Sequence, residues 1–271
     1  MLEGEVSKRR AEPETRAEDS IAPPIAICVS CGLSSCVGCA GAQRPASAVA
    51  WEDPGQVWWR RLWRTALASS LEPQRFFGQL PQGNVSEALA FALCAEVFAL
   101  GSLAVLGAFG LWCFAPGLLH ELLASSAACR TLLLTWVAFV VCMLLLHALW
   151  GACLDWGAQG LRGQPAARGS AGKNGVRFGL YACGWDLLTS PIGMLAALLT
   201  RGPRLGWAPV GAAARAPGLA QRAYLERCLG VDGAAQRRAR RCAVIVLSGG
   251  MLLVVLIFVA ALVSLASRFG Y

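Results

Sequence analysis

Charged residues are scarce in this sequence. Asp, Glu, Lys and Arg make up 15% of the 271 residues, whereas a soluble domain has about 25%. Hydrophobic residues make up 56%, which leaves too few polar side chains to cover the surface of a water-soluble fold. The composition therefore argues against a soluble globular protein and predicts that lipid solvates part of the chain.

Lysine is rare, and familiar catalytic motifs are missing. Lys8 and Lys173 are the only lysines, so arginine supplies nearly all of the positive charge behind the net +8. No H-E-x-x-H, G-x-S-x-G or P-loop motif occurs, and we expect a protein that is not an enzyme. The arginines border apolar segments, where membrane anchoring explains them, so we expect no nucleic-acid partner. The Ala-, Arg-, Gly- and Leu-rich composition is typical of a GC-rich bacterial genome.

The N-terminal arm lacks a long apolar segment. Residues 1–24 are charged, contain proline and hold few large apolar side chains, which is typical of disorder. Residues 43–54 have the composition of a polar linker. No secretory signal pattern is present, so we expect the later apolar segments to drive insertion and the N-terminus to stay in the cytoplasm.

Four of the twelve cysteines are clustered between these two segments, in residues 25–42. Cys28, Cys31, Cys36 and Cys39 follow the spacing C-x2-C-x4-C-x2-C. Four thiolates are the ligand set of a closed structural zinc site. Because the pairs are closer together than in zinc ribbons, we predict a very small zinc knuckle, formed within one chain or shared between two. A redox dithiol and an incidental cysteine-rich patch are the alternatives.

Residues 55–80 predict an amphipathic helix in the membrane interface. Apolar positions recur with helical spacing, and arginines flank a tryptophan-rich face. Helices of this kind place aromatic rings at headgroup level and guanidinium groups near lipid phosphate. The alternative is an amphipathic helix packed on protein. The residues predicted to contact the interface are Trp58, Trp59, Arg60, Arg61, Trp63 and Arg64.

Three apolar segments predict membrane spans, at residues 88–114, 131–153 and 242–266. Each is long enough to cross the roughly 30 Å of a bilayer's hydrocarbon core. Asn84 is predicted to cap the first span. The predicted fold class is all-α: a helical transmembrane bundle of three or four spans over residues 84–268, preceded by the cysteine-rich arm and the interfacial helix.

The fourth apolar segment, residues 178–200, is ambiguous because it contains Asp186 and a Ser190–Pro191 break. Basic residues favour the cytoplasmic side of a membrane. The loop 154–177 has four and the segment 201–241 has nine, whereas the connection between the first two spans has one. Both basic segments stay in the cytoplasm if residues 178–200 form a re-entrant hairpin. A true fourth span would export one of them.

Three ionisable side chains fall within the apolar segments: Glu96, His147 and Asp186. Ionisable groups at membrane depth are functional candidates by default. Glu96 and His147 are both expected near the cytoplasmic side, where they could form a pair. The structural interpretation is a hydrogen bond between helices, and the functional one is an ion or proton path.

The sequence from Trp58 onward resembles bacterial members of the Yip domain family, whose eukaryotic relatives interact with Ypt/Rab GTPases. The similar stretches are "WRRLWRTALASSLEPQRFFGQLPQG", "SEALAFAL", "GLYACGWDLLTSPIGMLAALL" and "AYLERCLGVDGAAQRRA", within residues 57–266. The resemblance implies a helical bundle with a cytoplasmic N-terminus, and no functional residues come with it. That family usually has five spans, whereas arginines exclude the expected fourth one near residues 207–216.

Together these features favour a non-enzymatic scaffold of the bacterial inner membrane. Its zinc knuckle would recruit a partner protein, or a second copy of the chain, at the surface of the lipid bilayer. The first alternative is a small transporter or ion-conducting protein that uses the three intramembrane ionisable groups. A membrane redox protein that uses the C-x2-C pairs is the other.

Overall fold

The computed structural model describes residues 49–159, 172–201, 208–231 and 233–268, all within the compact unit Ala46–Tyr271. Every long regular element in those residues is an α-helix, so the all-α prediction is confirmed. The helices are α1 (Trp58–Leu71), α2 (Pro73–Gly78), α3 (Val85–Phe114), α4 (Pro116–Ala124), α5 (Ser126–Gln159), α6 (Lys173–Ala182), α7 (Gly184–Thr189), α8 (Pro191–Arg201), α9 (Ala208–Ala223) and α10 (Gly233–Arg268). A short 3-10 helix, Ala50–Glu52, precedes α1, and a π-helical turn, Tyr224–Cys228, follows α9.

Three helices, α3, α5 and α10, are long and apolar enough to cross a membrane. They contain 30, 34 and 36 residues. At 1.5 Å per residue each exceeds about 40 Å, which is longer than a bilayer's hydrocarbon core. The predicted class, a helical bundle with three to four spans, is therefore confirmed. Each helix extends beyond its predicted span, because helical hydrogen bonding continues past the apolar residues.

The first span, α3, begins directly after Asn84, the residue predicted to cap it. Asn84 has extended backbone angles, and its side-chain oxygen accepts a hydrogen bond from the Ser86 N–H at 3.2 Å. This bond satisfies one of the donors that a helix start leaves without a partner. Glu87 adds a negative charge in the first turn, where the helix dipole favours it.

The last two spans pack as an antiparallel pair. Gly157 of α5 faces Ala239 of α10, and Leu146 faces Gly250 farther along. Phe139 and Phe258 meet beyond that, with ring centroids 6.1 Å apart. The arginines at 237–241, expected to precede the last span, instead form early turns of α10.

The ambiguous segment 178–200 is helical but broken. Helices α6, α7 and α8 follow one another, and the chain bends by 67° at the last junction. Pro191 lacks an N–H and disfavours helical angles at the residue before it. Ser190 is accordingly extended, with ψ at 160°. The described residues hold three spans, or four if this bent pair counts as one.

Glycines allow α6 to lie almost directly on α5. A Cβ added to Gly151 would be 1.9 Å from the Gly175 carbonyl oxygen, and one on Gly179 would be 1.9 Å from the His147 carbonyl oxygen. No side chain fits at either distance. Gly175 and Gly179 form a G-x-x-x-G pair, a pattern that permits close helix approach in membranes.

A region that we call the cap surrounds this contact. It comprises the short helices α1, α2, α6, α7 and α9 with the adjoining ends of the spans. Its centre is aromatic: Phe178 contacts Phe77, Trp150 and Tyr224, with ring centroids 4.6–5.1 Å apart. The remainder, which we call the apolar half, consists of α4, α8 and the other ends of the three spans, and exposes rows of large apolar side chains.

The described part of the predicted linker, residues 49–54, is fixed to the cap. Trp51 is buried, and its N–H donates to Thr65 Oγ1 at 2.8 Å. Arg61 donates to the Trp51 carbonyl oxygen, and Glu52 pairs with Arg177. The residues at the end of this segment thus belong to the bundle, because the Trp51 backbone N–H and the Glu52 carboxylate have partners there.

Candidate functional site

The structure brings together four ionisable side chains, which we call the buried cluster. Glu96 comes from α3, His147 from α5, Cys183 from the α6–α7 junction and Asp186 from α7. Glu96 and Cys183 are fully buried and His147 is 8% exposed. The Asp186 side chain is 34% exposed, so it lies at the edge of the cluster.

His147 is the centre of the buried cluster. Its Nδ1 lies 3.0 Å from the Met143 carbonyl oxygen and 3.9 Å from Glu96 Oε1. Its Nε2 lies 3.3 Å from Asp186 Oδ2. Neither carboxylate oxygen of Glu96 has a hydrogen-bond partner among the described residues. Two carboxylates, one fully buried and one partly exposed, thus face one buried imidazole.

Such an arrangement has a defined chemical capacity. An ionised carboxylate is costly to bury unless a cation or a hydrogen-bond donor compensates it. The cluster can therefore hold a proton shared among its members, or a metal ion.

The Glu96–His147 proximity was predicted from sequence, and Asp186 was predicted as an intramembrane polar residue. Cys183 was missed, since its position at a helix junction has no sequence signature.

The packing of the cap fixes the imidazole. The His147 carbonyl oxygen lies against Gly179, so α6 approaches closely at the same level. The Trp150 ring meets the imidazole edge-on, with centroids 6.4 Å apart and planes at 89°. The imidazole thus lies between Glu96 and Asp186, with the Trp150 ring against it.

A second buried carboxylate, Asp155, supports the start of α6. Its Oδ2 accepts from the Gly175 N–H at 2.8 Å, and its Oδ1 accepts from the Tyr224 hydroxyl at 2.5 Å. A carboxylate at a helix N-terminus satisfies free N–H groups and interacts favourably with the helix dipole. Burial and the nearby Asp155 charge raise the pKa of Tyr224, so the phenol remains a donor. Sequence analysis did not identify this site.

A buried arginine joins the linker to the bundle. Arg177 is fully buried, pairs with Glu52 and donates to the Pro81 carbonyl oxygen. The Tyr181 hydroxyl donates to the same Glu52 oxygen at 2.6 Å. This network was also missed, because Glu52 and Arg177 are 125 positions apart in sequence.

The predicted interfacial residues divide into two groups. Trp58 and Trp59 are half exposed, and Arg60 and Arg64 are exposed beside them. Arg60 lies over the Trp59 ring, 5.2 Å from its centroid. Arg61 and Trp63 are less exposed, and Arg61 turns inward to Trp51. The opposite face of α1 is packed on protein through residues that include Leu62, Thr65, Ala66 and Ser69.

The predicted zinc knuckle lies outside the described residues. Cys28, Cys31, Cys36 and Cys39 fall within residues 1–48, and so does the segment 1–24 that was predicted to be disordered. The zinc site therefore stays a prediction from spacing alone.

An apolar groove of about 660 Å³ opens between three of the helices. It lies between the middle of α3, Trp136 of α5 and the start of α8. The walls of this groove are almost entirely apolar, so it offers no set of polar side chains for catalysis or for binding an ion. No protein-family model, curated protein or solved structure matches this chain.

Proposed function

We propose that the chain is a non-enzymatic scaffold of the bacterial inner membrane, which holds a cytoplasmic metal-binding arm close to the bilayer. The observation that carries the proposal is the division of α1 into two faces. One face is buried on the bundle, and the start of the helix presents half-exposed tryptophans with exposed arginines. A helix of this kind has both a protein-packing role and a lipid-contacting role.

The tryptophans are next to a span. Trp58 stacks on Phe98 of α3, with ring centroids 6.1 Å apart and planes at 19°. Phe98 is itself exposed, on a helix long enough to cross the bilayer. Trp58 therefore continues an apolar membrane-facing surface, with arginines beside it for lipid phosphate.

The linker contacts support a tethering role. Trp51 and Glu52 are fixed to the cap, and the N-terminal arm joins the chain immediately before them. A partner bound by the arm is thus confined near the membrane, which raises its effective concentration there. Orientation follows from the nine basic residues of segment 201–241, which favour a cytoplasmic location.

Membership of the Yip domain family is part of the proposal. It is supported by the sequence resemblance over residues 57–266. In this part of the chain α1, two long spans, a proline-broken segment and a final span follow one another.

The proposal is tested on full-length protein isolated from native membranes. The double variant Cys28→Ser/Cys31→Ser should lose a bound zinc ion and the partners recovered by cross-linking and pulldown. Cys113→Ser, at the far end of α3, is the matched control and should retain both. An unchanged partner set together with unchanged zinc content in the double variant would contradict the scaffold.

Orientation needs a separate experiment. Reporter fusions after Arg201 and after Arg241 should both indicate the cytoplasm. An external location for either fusion would contradict the proposed topology.

The buried cluster favours a second candidate, a small transporter or ion-conducting protein. Glu96, His147 and Asp186 are within reach of one another, and Asp186 is partly exposed. Cation flux into liposomes containing the purified chain tests this function. Flux that Glu96→Gln abolishes would support it, and flux that the variant leaves unaltered would exclude it.

A further inference from the structure

We propose that Glu96, His147, Cys183 and Asp186 form a structural zinc site inside the bundle, separate from the N-terminal cysteines. Glu96, His147 and Cys183 each place one ligand atom within 4.8 Å of the other two. Asp186 adds a carboxylate oxygen 3.3 Å from the imidazole. The proposal rests on these four side chains and not on the scaffold function.

The orientation of His147 is that of a metal ligand. When Nδ1–H donates to the Met143 carbonyl oxygen, Nε2 carries a lone pair and lies 3.3 Å from Asp186 Oδ2, an oxygen that has no hydrogen-bond partner among the described residues. Metal-bound histidines commonly donate their other ring N–H to a backbone carbonyl in this way. A lone pair facing a carboxylate oxygen is repulsive unless a proton or a cation lies between them.

The distances suit a tetrahedral ion. Bonds of about 2.0–2.3 Å place neighbouring ligand atoms about 3.3–3.8 Å apart. The Nε2–Oδ2 separation of 3.3 Å is already in that range. The ligand atoms of Glu96, His147 and Cys183 lie within 4.8 Å of one another, so side-chain movements of about 1 Å bring these three to tetrahedral spacing.

The chemistry of the donors selects the metal. Magnesium and calcium prefer oxygen ligands, whereas a thiolate and an imidazole favour zinc. Binding releases the Cys183 proton to solvent, because the thiolate is the ligand. The ion also provides the partner that both Glu96 oxygens lack among the described residues.

The origin of the ligands indicates a structural role. They come from α3, α5, the α6–α7 junction and α7. One ion would therefore join two spans to the broken segment. Four protein ligands leave no open coordination position for catalysis. Asp186 is the partly exposed member and marks the side from which the ion enters.

The test uses the full chain with Cys28, Cys31, Cys36 and Cys39 all replaced by serine, which removes the proposed knuckle. This background protein, purified in detergent, should contain one zinc per chain by elemental analysis. Cys183→Ser and Glu96→Gln in the same background should contain none. Cys94→Ser, also on α3, and His120→Gln, on α4, are matched controls that should retain it.

Cobalt substitution supplies an independent readout. The background protein should show the visible bands of tetrahedral Co²⁺ and a thiolate-to-cobalt charge-transfer band, which Cys183→Ser abolishes. Should the first two variants fail to fold, Asp186→Asn decides, because its partly exposed position tolerates replacement. It should weaken zinc affinity at least about tenfold.

Three results would overturn the proposal. They are a folded background protein without zinc, zinc content unchanged by Cys183→Ser and Glu96→Gln, and unaltered affinity in Asp186→Asn. The first would assign the cluster to proton sharing, and the second would identify adventitious metal. Because the arm cysteines are absent throughout, these outcomes are independent of the knuckle and of the scaffold function.

Discussion

The cap and the apolar half are stabilised by different interactions. In the cap, ionisable side chains such as Arg177 and Glu96 are fully buried, and aromatic rings pack closely around Phe178. In the apolar half, large side chains are exposed, and Phe114 is 92% exposed. Lipid is as apolar as these side chains, so it supplies no hydrophobic force between helices there. Specific packing therefore determines the fold of the cap, and membrane solvation determines that of the apolar half.

Removing a ring should have its largest effect in the cap. Phe178→Ala deletes a fully buried ring that contacts three other aromatic side chains, and should cost about 3–5 kcal/mol of unfolding free energy. Phe114→Ala, the same replacement at an exposed site, should cost less than about 0.5 kcal/mol. Denaturant titration in detergent micelles measures both. Equal losses would show that the two regions do not differ as described.

Replacing glycine by alanine should give a smaller difference in unfolding free energy between the two regions. Gly151→Ala places a Cβ against the backbone of α6, where no side chain can yield, and should cost about 3 kcal/mol. Gly107→Ala meets open space in the same kind of helix and should be neutral or stabilising by up to about 1 kcal/mol. A tolerated alanine at position 151 would mean that α5 and α6 are not in backbone contact.

Deleting one hydroxyl isolates a buried polar contact. Tyr224→Phe leaves Asp155 with one fewer donor and should cost about 2 kcal/mol, since hydrogen bonds to charged groups are the stronger ones. Thermal unfolding followed by tryptophan fluorescence compares the variant with the unaltered chain, and matching curves would argue against the Asp155 bond.

The smallest effect is expected at the surface of the cap. Asn84→Ala removes the side-chain oxygen that accepts from the Ser86 N–H at the N-terminus of α3, and should cost about 1 kcal/mol of unfolding free energy. Asn84→Asp keeps an oxygen acceptor and should retain most of the stability. Chemical denaturation resolves the difference, and an unchanged alanine variant would show that water caps α3 equally well.

Local patterns predicted the elements better than their contacts. The three spans, the Asn84 cap and the break at Pro191 all follow from composition or spacing within a short window. The Asp155–Tyr224 and Glu52–Arg177 contacts join positions that are 69 and 125 residues apart. No periodicity specifies such pairs. The G-x-x-x-G pair at 175 and 179 was the available signal that α6 lies close to another helix.

The buried cluster illustrates the same limit. Glu96, His147 and Asp186 stand out because ionisable groups are unusual in apolar segments. Cys183 does not, because cysteine in such a segment usually behaves as a small hydrophobic residue. Only its position at the junction between α6 and α7 places its sulfur beside a carboxylate and an imidazole.

The length of α10 links bilayer thickness to the arginine-bearing start of that helix. Its 36 residues extend over about 54 Å, whereas the hydrocarbon core is about 30 Å thick. A thinner bilayer increases the tilt of a long span. Because α10 is one continuous helix, a change in the tilt of its lipid-embedded portion also displaces its arginine-bearing first turns laterally.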